Sequence, residues 1–197
     1  MRRRIGRTLV ACACLGALTG PAAAADEADA GWERCRQATA VVEELRPDLP
    51  EHLMAAMAQV ESGRPRPGHS ARFAWPWTIH AQGRGCYFPT KAAAVAAVKR
   101  LRRGGVHNID VGCMQVNLHY HGDAFDSVEQ ALDPVHNVAY AAEFLRKLRR
   151  TERSWMRAIG FYHSRTPEHY NDYRTRVQHA WQHQRRAAAE NQIAEAQ

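Results

Sequence analysis

The chain has 197 residues and carries 27 lysines and arginines against 20 acidic residues, a net charge of +7. That length supports one domain with a core of its own, and no apolar run approaches the ~20 residues that a membrane-spanning helix needs. Much of the basic excess sits at the N-terminus: without Arg2, Arg3, Arg4 and Arg7, 23 basic residues face 20 acidic ones, a net of +3, and the electrostatic case for a nucleic-acid partner falls away.

Those four arginines open a three-part export signal over residues 1–25. Behind them comes an apolar stretch from Leu9 to Leu18, and the alanines at 22–25 offer a small-residue cleavage site. The expectation is a periplasmic or secreted protein with no stable membrane anchor. The stretch from Leu9 to Cys12 loosely resembles a lipoprotein cleavage box, but too little apolar chain precedes it. Cleavage leaves Cys35, Cys86 and Cys113, enough in an oxidising compartment for one disulfide and one further thiol. The sequence alone does not choose the pair.

In the mature chain, Cys35, Ala38, Val41, Val42 and Leu45 recur at helical spacing, and Pro47 ends that run. Pro50 suits the first turn of a second helix, in which Leu53, Met54, Met57 and Val60 form an apolar stripe. Glu61 falls on the same stripe, four residues beyond Met57, and Gly63, Pro65 and Pro67 stop the helix just after it. A carboxyl half buried in the last turn of a helix feels both desolvation and the negative end of the macrodipole. Both raise its pKa, which is what a general acid needs near neutral pH.

Residues 64–89 are rich in glycine, proline and aromatics and read as a loop with at most a short hairpin around Thr78 and Tyr87. Thr90 can cap a helix over 91–103, which Gly104 and Gly105 close. In "IDVGCMQVN", residues 109–117, a strand-like run turns at Gly112 and then presents Gln115 and Asn117, amides that offer donor and acceptor together, as recognition of hydroxyl and acetamido groups requires. Helical patterns resume at about 127–132, 134–150, 154–163 and 167–190, with Pro134 and Pro167 at first-turn positions. The fold class is therefore mainly α, with irregular or β segments around 73–89 and 106–113. Residues 179–197 read as a polar helical or disordered tail.

Four of these stretches, in order, resemble the SLT-type lytic transglycosylases, the goose-lysozyme-like enzymes that cut bacterial peptidoglycan. "VESGR" resembles the family's catalytic Glu-Ser motif, "VGCMQVN" its Gly-Leu-Met-Gln motif, "DPVHNVAYAAEFL" its Asn-centred helix and "FYHS" its Tyr-Asn motif. Cys113 stands in place of the usual leucine and His163 in place of the usual asparagine. The resemblance covers residues 32–178 and implies a single α+β lysozyme-like domain acting on peptidoglycan glycan strands, as a monomer and without cofactor or metal. It implies Glu61 as the catalytic acid and base, Ser62, Gln115, Asn117, Tyr162 and His163 as holders of the N-acetyl sugar, and Met114 and Tyr140 as lining of the groove. It further implies that the C6 hydroxyl of muramic acid attacks its own C1, giving a 1,6-anhydro sugar. Members sharing the "WPWTI" and "IDVGCMQ" stretches add a link to envelope-spanning secretion, pilus or flagellar machinery.

One carboxyl suffices for that chemistry, whereas glycosidases generally use two. Asp110 has apolar neighbours on both sides, and the spacing gives no reason to bring it to Glu61. A disulfide between Cys35 and Cys113 is expected to brace the substrate shelf against the first helix. The rival readings are a hydrolytic muramidase of the same fold and a non-catalytic peptidoglycan-binding assembly factor. Neither His119 and His121 with Asp123 nearby, nor His179 and His183, belongs to one of the usual closed zinc sets with cysteine or a further partner, and no nucleophile elbow or phosphate loop is present.

Overall fold

The computed structural model describes residues 21–196, with side chains from residue 31 onward. The basic and apolar parts of the export signal lie outside the described residues. Helix α1, Pro21–Glu44, ends just before Pro47 as its spacing requires. Helix α2, Leu53–Ser62, begins later than Pro50 suggests: His52 takes a left-handed φ of 63° at its start, and Pro50 lies in the preceding turn. Its first amides are satisfied by the neighbouring helix, because the Glu43 carboxylate of α1 accepts from His52 N at 3.0 Å and Met54 N at 2.7 Å. Leu53, Met54, Ala56, Met57 and Ala58 are all buried, so α2 is apolar nearly all round and runs through the interior.

The chain leaves α2 through Gly63, where a Cβ would stand 2.2 Å from the Gln59 carbonyl oxygen. The segment read as a loop holds two hairpins. Strands β1 (Gly63–Pro65) and β2 (Arg72–Ala74) form the first, and β3 (Thr78–Ala81) and β4 (Arg84–Tyr87) form the second, with Thr78 opposite Tyr87 as the sequence suggested. Strands β5 (Ile109–Val111) and β6 (Val116–Asn117) complete an antiparallel sheet in the order β4-β3-β5-β6. Helix α3, Lys91–Arg103, packs on this sheet and is capped by Thr90 Oγ1, which accepts from Ala93 N at 3.1 Å.

Helices α4 (Val128–Ala131), α5 (Pro134–Glu152) and α6 (Trp155–His163) start at the side-chain caps Ser127, Asp133 and Ser154, close to the predicted bounds. Helix α7, Pro167–Glu195, runs on through residue 179, so of the two forms expected for the C-terminal stretch the structure has the helical one. Trp181 Nε1 donates to the Glu51 carbonyl at 2.7 Å, and Gln184 Nε2 to Gln59 Oε1 at 2.9 Å. The polar composition of this stretch conceals that one edge of it is docked on α2 and the turn before it.

Apolar side chains gather in two cores. One lies among α1, α2, α5, α6 and α7, around Met57, Leu145 and Ile159. The other lies between the sheet and α3, around Trp75, Trp77 and Val98, so the "WPWTI" stretch is interior packing. The architecture is mainly helical with a small antiparallel sheet, the α+β lysozyme-like arrangement, and a cleft opens between the two halves. No helix of the described residues is long and apolar enough to cross a membrane.

Candidate active site

The cleft has a volume of about 550 Å³, and its wall is built by helices α2, α5, α6 and α7 and by strands β3, β4, β5 and β6. Glu61 enters from the last turn of α2, His80 from β3, Asp110 from β5, Tyr140 from α5, Tyr162 and His163 from α6, and Tyr173 and Arg176 from α7. Strand alternation explains Asp110. Ile109 and Val111 are fully buried on one face of β5, so the residue between them must face the other way, into the cleft. The sequence expectation that Asp110 stays apart from Glu61 is thereby corrected, since its neighbours along the chain are apolar but its face is not.

Burial pushes the Glu61 pKa up to about 7, and the negative charge of Asp110 adds to the rise, while the Tyr173 hydroxyl and the Arg176 guanidinium oppose it. The Tyr173 hydroxyl is buried with no hydrogen-bond partner at ordinary distance, yet it stands near enough to Glu61 to favour the carboxylate. Asp110 is held from both sides: Asn117 Nδ2 donates to its Oδ1 at 2.6 Å, and His80 Nδ1 lies 3.3 Å from its Oδ2. The site thus pairs a carboxyl that is readily protonated near neutrality with a second one anchored across the cleft.

The predicted sugar-binding residues divide into those on the cleft surface and those behind it. Ser62 is buried, and its hydroxyl donates to the Cys113 carbonyl at 2.8 Å, tying the end of α2 to the turn after β5. Met114 is fully buried in the helical core and does not line the cleft. Both expectations of substrate contact are corrected: these side chains position the shelf from behind. Asn117 lies on the surface, but its amide donates to Asn108 and Asp110, and its oxygen accepts from the backbone of His119 and Tyr120. Those four bonds use up its polar atoms, so Asn117 holds Asp110 and the following turn instead of a ligand. Gln115 donates to the carbonyls of Thr78 and Gly112 at 3.1 and 2.9 Å, which leaves its own carbonyl oxygen for a ligand N–H.

Tyr162 lines the cleft and donates to the Met114 carbonyl at 2.8 Å, while Tyr140 shares a 2.8 Å hydrogen bond with His121 Nδ1. Burial raises the pKa of both phenols and lowers that of His121. His163 lies parallel on the Tyr173 ring, 4.5 Å between centroids, and burial followed by the nearby Arg176 charge depresses its pKa.

The turn that carries Gln115 is locked from below by a buried asparagine. Asn137 Nδ2 donates to the carbonyls of Val111 and Ala131, both at 3.0 Å, and its Oδ1 accepts from Met114 N at 2.8 Å. Gly112 takes φ 84° there, and a Cβ on it would meet the Asn137 side chain at 2.4 Å. The disulfide of Cys35 with Cys113, Cα atoms 5.7 Å apart, fastens the same turn to α1.

Sequence reasoning overlooked Tyr173 and Arg176. Their signal is faint, because α7 is polar throughout and Tyr173 and Val177 are its only buried residues. Phe144 was also missed, although it follows Tyr140 by one helical turn and so shares its face.

A protonatable carboxyl in an open cleft lined with phenols, amides and a second carboxylate is the equipment of an enzyme that breaks glycosidic bonds by proton transfer. The family model of the transglycosylase SLT domain matches residues 39–185, and the chain belongs to that family, whose lytic transglycosylases cleave peptidoglycan. Neither the curated proteins nor the solved structures contain a match to it.

Proposed function

We propose that this protein is an exported lytic transglycosylase, acting as a monomer in the periplasm or outside the cell, that cleaves the bond from N-acetylmuramic acid to N-acetylglucosamine and leaves 1,6-anhydro-muramic ends. The observation that carries the reading is Glu61, with its pKa near 7, in the cleft of a chain that belongs to this family. Protonated Glu61 gives its proton to the glycosidic oxygen as the C1–O bond breaks. The C6 hydroxyl of the same muramic acid then bonds to C1, and its proton returns to the Glu61 carboxylate. No water is consumed and no cofactor is required. The attacking hydroxyl is tethered to the reacting sugar, so it gains the effective concentration of a well-oriented neighbour. Fixed negative charge from Asp110 favours the cationic sugar that forms between the two proton transfers.

The export signal and the family resemblance support a place in the envelope, where such an enzyme opens the wall locally for a secretion, pilus or flagellar apparatus.

Asp110 also favours a second reading, hydrolysis by a muramidase of the same fold, because a second carboxylate across the cleft is the group that activates water or serves as nucleophile in glycosidases. Mass analysis of fragments released from purified sacculi separates the two. Transglycosylation gives ends lighter by one water and resistant to borohydride. Mainly reducing ends at the earliest time points would transfer the chemistry to water and Asp110.

A further inference from the structure

The cleft is electrostatically uneven. Asp110 and its partners stand on the strand side, whereas the helical side presents His163 and Arg176. Arg176 Nε lies 3.4 Å from Asp172 Oδ2, but the two side chains are 51% and 76% exposed, so water weakens that pair. The two terminal nitrogens of the guanidinium remain for another acceptor. Nor is Arg176 a free arm: its guanidinium carbon lies 5.7 Å from the centre of the Tyr173 ring, which His163 stacks against. Tyr173 is 1% exposed, and its hydroxyl is turned to the Glu61 carboxyl, so the platform under Arg176 is fixed beside the acid. A half-exposed cation on a fixed aromatic platform in the wall of an open cleft is arranged for an anionic oxygen acceptor brought in by a ligand.

The proposed substrate carries such an acceptor on only one of its two sugars. Muramic acid bears an acidic side arm on O3, and N-acetylglucosamine bears none. Resting on the reading above, we propose that the α6–α7 end of the cleft is a subsite for the carboxylate-bearing arm of muramic acid, with Arg176 as its charge partner. Because the sugars alternate along the strand, seating muramic acid at this end also fixes which of the two kinds of glycosidic bond faces Glu61. The carboxylate has two sources, the lactyl group when it is bare and the stem peptide when one is attached.

Binding measured in a Glu61→Gln background, where turnover is stopped, tests the subsite. Three tetrasaccharides are titrated: one bearing stem peptides, the same one after amidase treatment, and neutral chitotetraose. Adding Arg176→Gln should weaken at least one acidic ligand roughly ten-fold more than it weakens chitotetraose. Arg176→Lys should restore part of that loss, and added salt should shrink it. A loss confined to the stem-bearing ligand assigns the peptide carboxylates, and a loss on the amidase-treated ligand assigns the lactyl group. Equal weakening of all three ligands, or of none, overturns the subsite while leaving the peptidoglycan reading in place. Failure of all three to bind the Arg176-containing protein overturns both.

Discussion

At the residue scale, Glu61 sets catalytic use against stability. Its folded pKa of about 7 lies above the 4.5 of an unperturbed glutamate, so the folded state holds this proton more tightly than the unfolded chain does. The group is neutral in both states below the unfolded value, and its ionisation costs folding free energy progressively as pH rises from about 4.5 through about 7. Glu61→Gln removes that cost and should raise stability at pH 8 by an amount on the order of 2 to 3 kcal/mol, with the advantage vanishing near pH 4.5. Denaturant midpoints of the two proteins across that range check the linkage. The same substitution should abolish clearing of sacculi, and wild-type clearing should decline as pH rises through 7 and the acid is lost. Clearing by Glu61→Gln close to the wild-type rate removes Glu61 from the chemistry.

At the scale of the element, α7 does more than its composition announces. Its N-terminal half supplies Tyr173 and Arg176 to the cleft, and Trp181 and Gln184 hold its middle against α2 and the turn before it. Beyond Ala187 its side chains are largely exposed. A chain ending at residue 187 should therefore keep its thermal midpoint and its activity. A chain ending at 178 loses the Trp181 packing and both hydrogen bonds, and should lose about 2 kcal/mol together with part of its activity, because Tyr173 and Arg176 then sit on a poorly anchored helix. Equal midpoints for the two truncations would show that residues 179–187 add nothing to the stability of the fold.

For the whole molecule, the decisive joint is the turn at 112–117, where the sheet half meets the helical half. Four ties converge on it: the disulfide to α1, the Asn137 side chain from α5, the Ser62 hydroxyl from α2 and the Tyr162 hydroxyl from α6. The disulfide closes a loop over a sequence separation of 78, so in the chain-entropy model the bridge stabilises by about 4 kcal/mol. Replacing Cys35 and Cys113 by serine should lower the denaturant midpoint accordingly and reduce activity, since Gln115 and Asp110 flank the tethered turn. Peptide mapping without reduction checks the pairing directly. An unchanged midpoint in the double variant would mean that the other three ties already suffice.

The helices were legible in the sequence because their signals are local. Thr90, Pro134 and Pro167 mark starts by their own backbone chemistry, and the stripe of α2 identifies Glu61 as out of place without reference to anything distant. What the tertiary structure alone decided depends on partners far away along the chain. Glu43 caps α2 from another helix, in place of a start at Pro50. Ser62, Met114 and Asn117 have the residue types of ligand contacts, yet each finds its hydrogen bonds or its packing inside the protein, and a motif cannot tell a spent polar atom from an available one. Asp110 and Arg176 lie 49 and 115 residues beyond Glu61, and the fold brings both within electrostatic reach of it. Local patterning placed the acid, whereas its charge environment is a sum over space that only the folded chain defines.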